Sequence, residues 1–331
     1  WKVRYLVSNK LNAAAQEDPE MIDPWDVSVF DNKLYVANGS TDKITVYDMF
    51  GFKLSSITIR AQARNTSFPT ALQINDSGGF ITTTGSTSRS SNIIVATEHG
   101  TIHAYNAKIS GNIAPEVTDV PYTPEGGGRT IVFKGLTIGE NKLYLAEFIS
   151  NRIITLNNTY NPATDLISNP FVDQDSINPL PSDARPHNVA YICPYIYVIY
   201  TIRDPNIPQA DLPGPGNGYV SEFKPDGTFV RRLITGGKLN SPWAMIAAPC
   251  VPGYPKGGFL VGNQGDGYIN IYDNNGVYYG QMLNLSGTPI KLDGLWGLFQ
   301  NPRNPYEIYF TNAFIENVEG YLGVLTTGVE Y

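Results

Sequence analysis

Residues 257–282 read GGFLVGNQGDGYINIYDNNGVYYGQM and divide into three short strands joined by two turns. FLVGN (259–263) is an apolar run that ends on a polar residue, and QGDG (264–267) is a tight turn. YINIYD (268–273) alternates apolar and polar at the period of two that half-buries a strand. NNG (274–276) then supplies residues that tolerate φ > 0, as a hairpin requires, before the alternating VYYGQM. The unit is an antiparallel meander.

Working outward, a strand of the FLVGN kind occurs six times: LYVAN ending at Asn38, IIVAT at Thr97, LYLAE at Glu147, IYVIY at Tyr200, FLVGN at Asn263 and IYFTN at Asn312. The intervals are 59, 50, 53, 63 and 49 residues. A second strand precedes each: PWDVSV from Pro24, PTALQI from Pro69, FKGLTI from Phe133, PHNVAYI from Pro186, PWAMIA from Pro242 and LWGLF from Leu295. In three repeats the third residue of this strand lies 12 positions before the marker (Asp26 to Asn38, Gly135 to Glu147, Asn188 to Tyr200). That spacing suits two short strands and a two-residue turn, so both hairpin ends fall on one face.

Strands c and d follow in KITVYD and GFKLSSI, TIHAYN, RIITLN, YVSEFK and TFVRRLI, and YINIYD and VYYGQM. Self-similarity at a period near fifty residues, with four strands per repeat, is the mark of a propeller. The expected fold is therefore all-β: a six-bladed β-propeller of four-stranded antiparallel blades in one domain over 1–331. The blades fall at about 23–60, 69–110, 131–165, 185–235, 241–284 and 293–325. The last repeat lacks an outer strand, and VRYLVS (3–8) from the N-terminus is expected to supply it and close the ring. Residues 82–92 read as a polar a–b insertion, and residues 204–218 (DPNIPQADLPGPGNG) as a Pro/Gly-rich b–c insertion unsuited to core.

Composition agrees, with 21 Tyr, 14 Phe, 32 Gly and 24 Pro and no long stretch of 3.6-residue period. A net charge of −7 and no basic cluster beyond Arg231-Arg232 argue against a nucleic-acid or anionic-membrane surface. No run approaches the roughly 18 apolar residues of a membrane span. Trp1 in place of Met fits removal of a signal peptide, and sequons begin at Asn38, Asn65, Asn75, Asn157 and Asn284. A secreted or surface setting is the expectation.

Several stretches together carry a resemblance: FKGL of the third repeat, LNSPWAMIAAP (239–249), FLVGNQGDGYINIYDNNGVYYGQ and LDGLWGL (292–298). They resemble an uncharacterised family of exported six-bladed propellers related to NHL-repeat proteins, known mainly from bacteria and often carrying a C-terminal sorting anchor. The resemblance implies the propeller fold and an exported setting, with no activity attached. The chain departs from it in DPWD at Asp23, where NPWG is expected, and in Glu147, where Asn is usual. No anchor follows Tyr331, which points to a released or differently retained protein.

Function is expected at the channel mouth, where the starts of strands a meet the ends of strands b. The second position of strand a reads Trp25, Thr70, Lys134, His187, Trp243 and Trp296, and the marker ring reads Asn38, Thr97, Glu147, Tyr200, Asn263 and Asn312. Aromatic surface beside polar groups suits a glycan or peptide. Equally, the tryptophans can fill the wedge between blades, and the asparagines can hold their own turns. Asp23, Asp26 and Glu147, with Asp266 and Asp293 nearby, form a carboxylate set of the kind that binds Ca2+. This resembles the channel metal of gluconolactonase-type propellers, where the ion polarises a lactone or ester carbonyl. His187 and Lys134 would then stand near the substrate.

Other catalytic signatures are absent: there is no G-x-S-x-G elbow, and His99 and His103 straddle a turn and read as surface residues. Gly126–Gly128 lack the Lys-Ser/Thr of a phosphate loop. Cys193 and Cys250 each follow strand a in adjacent blades, so a disulfide between them is expected in an oxidising compartment. The leading expectation is a non-enzymatic extracellular binding or structural module without a cofactor, meeting a protein or glycan partner or its own copies. A surface-layer, fibre or virion-coat component is one form of it. The alternative is a metal-dependent lactonase or esterase at the channel.

Overall fold

The inner hairpins turn where polar residues, mostly Asp and Asn, accept left-handed backbone. Asp31 and Asn32 have φ of 49° and 55°, and Glu140 and Asn141 have 48° and 60°. Two consecutive left-handed residues give a turn whose twist matches the strands it joins. Pro24–Phe30 therefore pairs in register with Lys33–Asn38, and Phe133–Gly139 with Lys142–Glu147.

The computed structural model describes residues 1–60, 66–119, 131–314 and 318–327, and in it such hairpins build a six-bladed β-propeller. Blade one has Pro24–Phe30, Lys33–Asn38, Lys43–Asp48 and Lys53–Ile59 as strands a to d. Blade two has Pro69–Ile74, Ile93–Thr97, Thr101–Tyr105 and Glu116–Asp119. Blade four has Ala184–Ile192, Tyr195–Ile202, Tyr219–Phe223 and Phe229–Thr235, and blade five Pro242–Ala247, Phe259–Asn263, Ile269–Tyr272 and Tyr278–Gln281. Strand a of every blade packs on strand a of the next, and blade six returns to blade one.

Three blades depart from the uniform four strands expected. Blade three stops at three, Phe133–Gly139, Lys142–Glu147 and Arg152–Asn157, with a single bridge from Leu156 to Pro162 in place of an outer strand. Blade one gains a parallel fifth strand, Ile113–Ala114, lent by the connection of blade two. Blade six, built on Leu295–Gln300, Glu307–Phe314 and Glu319–Thr326, takes Lys2–Ser8 as its fourth strand, antiparallel to the third, with Gln16–Glu17 beyond it. The N-terminal closure is thus as expected, and it buries Leu6 and Val7 in the core shared by blades six and one. The polar a–b insertion of blade two is a hairpin of its own, Ile81–Thr84 with Thr87–Ser90. No helix among the described residues is long and apolar enough to cross a membrane.

Candidate ligand-binding site

At the mouth end of strand a the ladder slips in every blade. Pairing jumps from Pro24 to Asp26, Pro69 to Ala71, Phe133 to Gly135, Pro186 to Asn188, Pro242 to Ala244 and Leu295 to Leu298. The skipped residues are Trp25, Thr70, Lys134, His187 and Trp243, with Trp296 and Gly297 in blade six. A bulge frees a residue from the strict alternation and re-aims its side chain. Here it gathers the six second positions into a plug on the axis.

The Trp25 and Trp296 rings stack at 3.8 Å and 18°, and Trp243 meets them edge-on at 6.5 and 6.0 Å. His187 packs 5.8 Å from Trp296, and the Lys134 ammonium lies 4.8 Å over Trp25 while pairing with Glu98. All six are between 1% and 6% exposed. Their polar atoms are mostly spent inside the protein: Trp25 Nε1 donates to Asp23 Oδ2 (3.0 Å), Trp243 Nε1 to the Lys134 carbonyl (2.9 Å) and Thr70 Oγ1 to the Phe133 carbonyl (2.8 Å). His187 Nδ1 lies 2.9 Å from the Pro242 carbonyl, which can only accept, so the proton sits on Nδ1. Burial holds the imidazole below its ordinary pKa. Of the two readings left open for the tryptophans, packing is the one their surroundings match.

The marker ring is equally buried, with Asn38, Thr97, Asn263 and Asn312 at 0%, Glu147 at 1% and Tyr200 at 3%. Asn38 donates to Thr45 Oγ1 (2.9 Å), Asn263 to the Lys238 carbonyl (2.8 Å) and Asn312 to the Asp293 carbonyl (3.2 Å). Glu147 accepts from the amides of Ile149 (3.0 Å) and Ser150 (2.8 Å). Asp26 accepts from Val27 N (2.8 Å) and, across the blade boundary, from Leu72 N (3.0 Å). The expected Ca2+ set of Asp23, Asp26 and Glu147 is therefore corrected, because each carboxylate serves its own neighbourhood. Among the described residues no three His, Cys, Asp or Glu side chains gather as a metal would need.

The open site lies beside the plug and is made by blade four. In blades one, two, three and five the a–b ladder ends at the marker residue, but in blade four it runs on past Pro186–Tyr200 to Arg185–Thr201 and Ala184–Ile202. Two extra residues raise this hairpin by about 7 Å. They lift Arg185 and Arg203 above the plug. The Pro/Gly-rich insertion then folds back through a bridge from Arg203 to Asp211 and a bond from Leu212 N to the Ile202 carbonyl (2.7 Å). Asp211 Oδ1 comes to 4.0 Å from His187 Nε2.

Between this flap and blades two and three is a cavity of about 660 Å3, lined by Glu98, His99, Val132, Ile149, Arg185, Arg203, Pro208 and Gln209. Arg185 is 9% exposed and its Nη1 donates to the carbonyls of Ser182 (2.9 Å) and Ala184 (2.7 Å). Burial, and next the like charge of Arg203, lower its pKa. A second cavity of about 430 Å3 enters from the opposite face, between the strands a, with Val27, Leu136, Val189, Ala244 and Leu298 in its wall.

No protein-family model matches the chain. Two uncharacterised proteins of Acanthamoeba polyphaga mimivirus are similar to it along almost its whole length. R648 is 45% identical over 98% of this chain and 79% of its own, and L690 is 42% identical over 98% and 85%. The chain belongs to their family. Among solved structures, virginiamycin B lyase from Staphylococcus aureus superposes with a TM-score of 0.54 at 15% identity, over 98% of this chain and 99% of that one, a likeness of fold alone. The sequence motifs resembled a mainly bacterial family, whereas the relatives that place the chain are viral.

Other residues of this family member also differ from expectation. His103 is fully buried, its ring bonded to Thr101 Oγ1 (3.0 Å) and the Ala114 carbonyl (3.2 Å), because it faces the sheet interior from strand c. Cys193 and Cys250 are free and exposed, so the expected disulfide is not made. Cys193 sits in a two-residue turn, but Cys250 lies in an 11-residue connection between strands 242–247 and 259–263 that is no counterpart of that turn. The sequons at Asn38 and Asn75 are corrected as well: both side chains are buried and their amides bonded, Asn75 to the Ser91 carbonyl (3.0 Å), leaving no room for a glycan. Asn157 and Asn284 are half-buried and each accepts from the amide two residues on, at 2.9 and 3.0 Å. Asn65 and Gly126–Gly128 lie outside the described residues.

Sequence reasoning missed Arg185, Arg203 and Gln209. They stand outside the repeat positions, and their only signal was the Pro/Gly-rich insertion that follows strand b of blade four.

Proposed function

We propose that the protein is a recognition propeller that binds a ligand in the cavity under the blade-four flap. The observation that carries this reading is the division of labour on the mouth face. The ring of second-position residues fills the axis, and beside it an open cavity within the size range of small-molecule sites combines polar and apolar walls. An extracellular or particle-surface setting forms part of the proposal, and the half-buried sequons at Asn157 and Asn284 and the viral relatives support it. The test is thermal-shift screening of glycans and peptides against the protein and a Gln209→Trp variant, which fills the cavity from an exposed loop position. Ligands that stabilise the first and not the second are expected. Equal stabilisation of both would place binding elsewhere.

A second reading, self-assembly, rests on the outer edge of blade five. Tyr278–Gln281 is the last strand of its sheet, and Val277, Tyr279, Leu283 and Leu285 around it are 43% to 68% exposed. No charged residue occurs from Asn274 to Ile290, so the strand itself carries none of the charges that usually protect an edge. Light scattering should then show a dimer that Tyr279→Lys dissociates. A monomer at all concentrations would remove this reading.

A further inference from the structure

The cavity wall holds two cations with no ion-pair partner among the described residues, although the charges of Asp183 and Glu147 act on Arg185 from beyond ion-pair distance. Lys134 is paired with Glu98, but Arg203 makes no side-chain hydrogen bond or ion pair among the described residues. Arg185 spends Nη1 on two carbonyls, has no carboxylate within ion-pair distance, and keeps Nε buried without a partner. The two guanidiniums repel each other across the site, in a chain whose net charge is −7. A buried arginine is normally paired, so Arg185 left without a carboxylate partner beside a second, half-buried arginine that is also unpaired marks a place where an anion is brought from outside.

The rest of the wall narrows the anion's class. Val132, Ile149 and Pro208 offer apolar surface, and His99 and Gln209 offer groups that exchange hydrogen bonds with hydroxyls. His99 Nδ1 is already engaged by the Thr66 carbonyl at 2.7 Å, which leaves Nε2 as the acceptor on this ring. A planar carboxylate matches the guanidinium fork two bonds at a time.

The geometry points to a sugar acid as the ligand: its carboxylate on Arg203 and Arg185, its C–H face on Ile149 and Pro208, and its hydroxyls on Gln209 and His99. This rests on the reading of the cavity as the ligand seat. It goes beyond that reading in naming the ligand's charge and chemistry.

The experiment is calorimetric titration of the whole chain with glucuronic, galacturonic and N-acetylneuraminic acids, with glucose and galactose as neutral counterparts, and with inorganic phosphate. Arg203→Gln and Gln209→Trp are titrated in parallel, and melting temperatures confirm folding. At least one acid is expected to bind about tenfold or more tightly than its neutral counterpart, and Arg203→Gln to lose about tenfold, the loss of one charge-assisted contact. Equal binding of acid and neutral sugar, or an unchanged Arg203→Gln, overturns the sugar-acid assignment. If Gln209→Trp still abolishes binding in that case, the cavity reading stands. A Gln209→Trp variant that binds every probe as before overturns the cavity reading itself. Binding of phosphate alone, or of no probe at millimolar concentration, also overturns the sugar-acid class.

Discussion

On the axis, the cation Lys134 pairs with Glu98 and covers the Trp25 ring, and Trp243 Nε1 is satisfied by a carbonyl of the neighbouring blade. In the cavity wall, Arg203 has no such partner among the described residues and Arg185 has only carbonyls. Both regions lie on the same face and use similar side chains. The difference lies in what surrounds them: the plug sits where six blades converge and most of its polar atoms find a neighbouring carbonyl or carboxylate, Trp296 Nε1 and His187 Nε2 being the exceptions, whereas the arginines stand on a hairpin that outgrows its neighbours. A paired cation marks the structural region, and unpaired cations mark the one able to bind.

Variants test that contrast. The largest effect is expected from deleting residues 1–8, which removes the closing strand and exposes the edge of Glu319–Thr326. Cooperative melting should be lost, and an unchanged melting curve would show that the plug holds the ring without its fastener. Trp296→Ala opens a hole beside the Trp25 stack and should cost about 3–5 kcal/mol in urea denaturation. A cost under about 1 kcal/mol, the range of surface changes, would mean that the plug is loosely packed.

Asp26→Asn should cost about 1–3 kcal/mol, since an amide donor would face the Leu72 or Val27 N–H. It should also change the pH dependence. Burial pushes the Asp26 carboxyl up to about 7, against about 3.9 in an unfolded chain. Between those values the folded state holds a proton that the unfolded state releases, so this group's stabilising contribution is full below about pH 4 and lost as pH rises to about 7. Urea midpoints at several pH values should show that slope in the parent protein and not in Asp26→Asn; identical slopes would contradict the shift. Smallest of all, Arg203→Gln should alter stability by less than about 0.5 kcal/mol while changing ligand affinity. A large loss of stability would move Arg203 into the structural group.

Most of the plug was legible in the sequence, because its residues recur at one position of every repeat and three of the four tryptophans fall there. What could not be read was the bulge. A one-residue slip in pairing leaves the residue count unchanged, yet it turns Trp25 and Lys134 from the wall of a mouth into its filling. The carboxylates misled for a related reason: Asp26 and Glu147 sit at the right level of the blades, but their oxygens are claimed by amides that no spacing rule displays. Sequons describe what a transferase recognises and carry no information on burial, hence Asn38 and Asn75. Blade four's two extra rungs were hidden because IYVIY looks like every other strand b; only its partners reveal that pairing continues to Ile202.

The closing ladder also determines how the molecule responds to force. Lys2 pairs with Thr326 and Ser8 with Tyr321, so the outer end of the N-terminal strand and the last rung of its partner lie at the same end of the ladder. Tension applied there loads one rung at a time and peels the strand away, where a pull along opposite ends would load all rungs together in shear. The ring therefore behaves as a zip fastener, weakest to a tug at its own seam.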